Sequence, residues 1–73
     1  MEKYTLIGVD GNAFAVMGYT AQALKNEGLK DLVGEMQERA RSGDYNNLLR
    51  VCMEYIDMAN EKAIENGWEE DYE

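Results

Sequence analysis

The sequence predicts a small, mainly α domain in the order β-α-α-α: one short N-terminal strand, then three helices. Three observations carry that expectation. After residue 12, apolar residues recur at steps of three and four along most of the chain. Gly28 and Gly67 follow the first and third of these runs, where left-handed helix stops fall. Proline is absent, so nothing interrupts the runs.

The segment "KYTLIGV" (3–9) is short and rich in β-formers, and reads as the strand. Asp10-Gly11 breaks it. That dipeptide is also a type I′ hairpin signal, which would make "NAFAVMGY" a returning strand. Three alanines among residues 13–21, followed by Gln22, Ala23, Leu24 and Lys25, favour a helix instead. Asn12 is its natural N-cap, and Phe14, Met17, Ala21 and Leu24 form its inward stripe. "LKDLVGEMQERARS" (29–42) makes the second helix, with Leu29, Leu32, Val33, Met36 and Ala40 on one face. Gly34 weakens it and suggests close helix approach, while Glu35 and Arg39 form an i,i+4 ion pair. The longest helix, about 44–66, is capped by Ser42 or Asp44. Tyr45, Leu49, Cys52, Ile56, Ala59 and Ala63 line one face, and Leu48, Val51, Tyr55 and Met58 lie beside them. That face is wider than a single partner helix needs, so one side is expected to meet a second subunit.

A chain of 73 residues is one domain. The helical domain is expected over residues 1–66, with an acidic, aromatic tail over 67–73. A domain this small buries only about 60% of its unfolded surface and usually needs a disulfide, a metal or oligomerisation. Cys52 is the lone cysteine and histidine is absent, which argues against an internal disulfide and a structural zinc site. A homo-oligomer, dimer or higher, is the expectation that remains. Two copies pairing their strands would satisfy both open edges; the alternative is that residues 3–9 lie extended over the helices.

The formal charge of −8 argues against direct nucleic-acid binding, where basic patches do the attracting. The last nine residues, "ENGWEEDYE", hold five acids and no base; residues 1–64 then carry ten acids against seven bases, only −3. No run of about 18 apolar residues points to a membrane span. "MEKYTLIGVDG" has too short an apolar stretch for a signal peptide, so a cytoplasmic location is expected.

Two helix starts are the candidate ligand sites. Gly11, Asn12, Ala13 and Phe14 join a glycine turn to a helix N-terminus, where free N–H groups favour an anion and Phe14 can stack on a base. The Lys-Ser/Thr pair of a P-loop is missing. Ser42, Gly43, Asp44, Tyr45 and Asn46 open the last helix, with Asn47 beside them and Arg50 one turn on. Should the two starts meet, they would form one polar notch with Arg39, Arg41 or Arg50 supplying positive charge. The bland reading of both is a capped turn. Tyr55, Met58, Trp68, Glu69, Glu70, Asp71 and Tyr72 are candidate partner contacts, since aromatic residues with a polar tip suit half-buried interfaces. No catalytic residue, metal ligand set or cofactor loop is readable.

"DGNAFAVMGYTAQALKNEG" followed by "SGDYNNLLRVCMEYID" resembles a family of very short proteins encoded by bacteriophages and mobile elements. The likeness covers about residues 4–60, and the matching positions are Gly11, Asn12, Phe14, Gly18, Ser42, Gly43, Asp44 and Tyr45. It implies a genomic setting, the phage or mobile element, with the host cell cytoplasm as the place of action. The expectation is a non-enzymatic binding protein that inhibits a host defence system by holding a nucleotide-like signal or a host protein. A structural or assembly protein working through helix–helix oligomerisation is the alternative.

Overall fold

The computed structural model describes residues 2–69. Helix α1 spans Ala13–Asn26, α2 spans Val33–Arg41, and α3 spans Tyr45–Glu65. A single 3-10 turn, Lys30–Leu32, leads into α2. Both shorter helices pack on α3, which serves as the spine. α1 and α3 meet at both ends, through Tyr45 and Gly11 at one and Asn66 and Glu27 at the other, and α2 carries the chain back from the second end to the first.

Local chemistry explains the helix ends. The Asn12 side chain accepts the Ala15 N–H at 2.8 Å and caps α1. Asp44 does the same for α3, accepting from Asn47 N–H at 2.9 Å. Gly28 and Gly67 sit at φ +80° and +103°, a backbone shape that favours glycine, and each turns the chain out of its helix. The Trp68 N–H then bonds back to the Ala63 carbonyl at 2.9 Å, and its side chain packs on the core. Trp68 is therefore packed, partly buried, against the same core as the helices.

The N-terminal strand is the first correction. Among the described residues there is no strand. Residues 3–9 instead lie over the helices, and the reason is a side chain. Asn60 Oδ1 accepts the Tyr4 N–H at 2.8 Å, and Asn60 Nδ2 donates to the Tyr4 carbonyl at 3.0 Å. A carboxamide offers one donor group and one acceptor, as a neighbouring strand would. Two residues later the chain turns, with Val9 N–H on the Leu6 carbonyl at 3.1 Å and Gly8 at φ +89°. Within the single chain the Tyr4 backbone is thus already paired with a side chain.

The core of α1 faces differently from the expected stripe. Val16, Met17, Thr20, Ala21, Ala23 and Leu24 are buried, while Phe14 is 83% exposed. Thr20 can sit inside because its hydroxyl donates to the Val16 carbonyl at 2.9 Å. Counting Thr20 as polar turns the apparent face toward Phe14; counting it as core turns the face away. On α3, Leu48, Val51, Cys52, Tyr55, Ile56, Ala59, Asn60 and Ala63 are buried. Tyr45 is partly exposed, and Leu49 lies half-buried at the margin. Met36 and Ala40 anchor α2, with Leu29, Leu32 and Val33 packed partly against the core. Gly34 meets nothing within 4 Å, so close helix approach does not account for it.

Candidate functional site

Tyr45, the first residue of α3, donates its hydroxyl hydrogen bond to the Gly11 carbonyl just before α1. This bond ties together the two loops that the sequence singles out. Between them lies an open cleft of about 350 Å³, lined by Ala13, Phe14, Met17, Ala40, Arg41, Gly43, Asp44, Tyr45 and Leu48. Its floor is apolar, its rim carries one guanidinium and one carboxylate, and Phe14 stands at its edge. The N–H groups of Ala13, Phe14, Tyr45 and Asn46 open the two helices and have no carbonyl one turn back to bond.

The loop around Ser42 is built tightly. Ser42 Oγ donates to the Arg39 carbonyl at 2.7 Å, closing α2. Asn47 Nδ2 donates to the same carbonyl at 2.9 Å. Gly43 fits tightly here: a Cβ would lie 3.0 Å from the Asn47 side chain, which would have to give by a few tenths of an ångström. Asn47 is thus a structural clasp between α2 and α3.

The three candidate arginines separate. Arg39 Nη2 lies 3.1 Å from Glu54, and Arg39 Nη1 donates to the Tyr55 hydroxyl at 3.3 Å. Arg50 donates to Asn47 Oδ1 at 3.2 Å. Only Arg41 lines the cleft. The expected Glu35–Arg39 pair is replaced by a relay through Tyr55, whose hydroxyl donates to Glu35 at 2.6 Å while accepting from Arg39.

Among the candidate partner residues, Tyr55 is 1% exposed and belongs to the core, so it is no surface anchor. Met58 is 38% exposed on α3 and Glu69 is exposed. Glu70, Asp71 and Tyr72 lie outside the described residues. Cys52 is enclosed, and burial pushes its thiol up, away from the thiolate form a nucleophile needs.

At the far end of α1 a buried polar knot holds the N-terminal segment. The Glu27 carboxylate accepts from Lys3 Nζ at 2.7 Å, the Tyr4 hydroxyl at 2.5 Å and Asn66 Nδ2 at 3.0 Å. The Lys3 ammonium first, then the Tyr4 hydroxyl, hold its carboxyl at about 2 against the opposing effect of burial. The pattern of hydrophobic spacing gave no sign of this knot; the signal available was an acid directly before the helix-stopping Gly28.

No family model, curated protein or solved structure matches the chain. Among the described residues no group of His, Cys, Asp and Glu is placed to hold a metal ion, and no helix is long and apolar enough to cross a membrane.

Proposed function

We propose that this chain is a non-enzymatic binding protein of phage or mobile-element type that inhibits a host defence system by capturing a nucleotide-like signal. One observation carries the reading: the Tyr45–Gly11 bond assembles two separate helix starts into one cleft edged by an exposed phenylalanine. Phe14 offers a face for a base, and Arg41 with the N–H groups at the two helix starts offers partners for phosphate. Asp44 at the rim sets a limit, favouring a ligand with few charges or one that also presents a donor.

The test is a titration of the full chain with adenine mono- and dinucleotides, followed by amide NMR. Shifts confined to residues 11–14 and 41–46, lost in Phe14→Ala and in Arg41→Ala, support capture. Absence of any shift at millimolar nucleotide overturns it. Occlusion of a host protein is the other binding mode, and the surface that favours it lies elsewhere, on α3. A structural role through helix–helix oligomerisation is the remaining alternative; it draws on Met58, the one member of its expected contact pair left at the surface.

A further inference from the structure

A second surface, separate from the loop cleft, combines exposed apolar side chains with carboxylates. Where residues 5–9 turn, Ile7 stands 88% exposed at the tip. A large aliphatic side chain gains nothing there within the chain, and the turn is held in place. Ile7 N–H bonds to Thr5 Oγ1 at 3.1 Å, Val9 N–H bonds to the Leu6 carbonyl, and Thr5 N–H bonds to the Tyr19 hydroxyl at 3.1 Å. Beside the tip runs an apolar groove of about 360 Å³ in which Leu6, Ile7, Leu49, Ile56 and the 58% exposed Met53 take part. It continues along α3 into a second hollow of about 280 Å³, where Ile64 and Trp68 supply the apolar wall. Glu2 and Asp57 line both hollows, so the two adjoin along α3 and are taken together as one trough.

The charge of the trough is one-sided. Glu2, Asp57 and Glu61 line it, and among the described residues no lysine or arginine does. The neighbouring Lys3 is bonded to Glu27 instead. From Leu49 to Ile64 the trough follows α3 over fifteen residues, or about 22 Å at the rise of an α-helix. That length matches four turns of a partner helix lying in the groove.

We propose that this trough docks a basic amphipathic helix of another protein. Leucine-like side chains on its apolar stripe would enter between Ile7, Met53 and Ile64, and flanking lysines or arginines would meet Glu2, Asp57 and Glu61. A second copy of this chain is a poor occupant. A two-fold interface sets a patch against itself, which would bring two acidic troughs together with no lysine or arginine lining either among the described residues. The proposal stands apart from the nucleotide cleft, because it shares no lining residue with it.

The experiment uses the full chain and a fluorescein-labelled sixteen-residue peptide of leucine, alanine and lysine at helical spacing, read by fluorescence anisotropy. A scrambled peptide of the same composition is the control. The expected result is saturable binding that the scrambled peptide lacks. It should weaken at least about tenfold in the doubly changed Ile7→Ser, Met53→Ser protein and again in Asp57→Lys, Glu61→Lys. All four positions are exposed, so circular dichroism and melting should be close to the parent; Phe14→Ala should leave binding unchanged. Equal binding of the scrambled peptide overturns the proposal, because attraction to net charge alone then explains the signal. So does no binding at all. Sedimentation of the parent as a dimer that Ile7→Ser, Met53→Ser converts to monomer would overturn it too, by seating a second copy in the trough.

Discussion

The two ends of α1 are built from similar residue types and do opposite things. At the Glu27 end, Lys3, Tyr4, Glu27, Asn60 and Asn66 gather charged and polar groups into a knot in which each donor meets an acceptor, with Tyr4, Glu27 and Asn60 themselves buried. At the Phe14 end, Asn12, Phe14, Asp44 and Tyr45 lie at the surface, joined by the single bond from Tyr45 to Gly11. Burial makes the first end a matter of stability, because a polar group removed from water must be paired inside. At the second end Asn12 and Asp44 serve the fold as helix caps, while exposure leaves the Phe14 ring free to contribute to binding.

Changes at the knot should be costly. Glu27→Ala leaves the Tyr4 hydroxyl and Lys3 without their acceptor, leaves Asn66 only the Glu27 carbonyl, and is expected to cost about 2–4 kcal/mol in urea unfolding. Asn60→Ala, which removes both bonds to the Tyr4 backbone, is expected to cost about 2–3 kcal/mol. Either variant unfolding like the parent would place the hold on the N-terminal segment somewhere else.

Acid should reveal the same knot. The folded Glu27 carboxyl lies at about 2, below its ordinary 4.5. Its contribution is therefore complete above pH 4.5 and is lost as the pH falls from there toward 2. Up to about 2 kcal/mol should disappear over that window. The slope of urea midpoint against pH should be shallower in Glu27→Gln, and equal slopes would contradict the assignment.

At the other end the effects on folding should be small. Tyr45→Phe removes the bond between the loops and is expected to cost about 1 kcal/mol or less, because the hydroxyl is within reach of water. Its larger effect should fall on nucleotide-induced amide shifts, since the cleft then loses its clasp.

The helices were legible because their signals are local. Asn12, Asp44, Gly28 and Gly67 mark ends through backbone chemistry that acts within a few residues. What stayed hidden depends on partners far along the chain. Residues 3–9 carry β-formers, but whether they pair as a strand is decided by Asn60, 56 residues away from Tyr4. Phe14 has the right spacing for the core, and the burial of Thr20 turns it outward. The two helix starts were readable as candidates, and their meeting rests on a tyrosine hydroxyl 34 residues from its acceptor. Arg41 stood among three equal arginines until Glu54, Tyr55 and Asn47 engaged the other two.

The most direct measurement compares Phe14→Ala with the parent in two assays on the same sample: urea unfolding, and amide shifts on adding adenine nucleotides. The account predicts unfolding within about 0.5 kcal/mol of the parent, as for an exposed side chain, together with loss of the shifts at residues 11–14 and 41–46. A large loss of stability, or nucleotide shifts that persist without the ring, would contradict it.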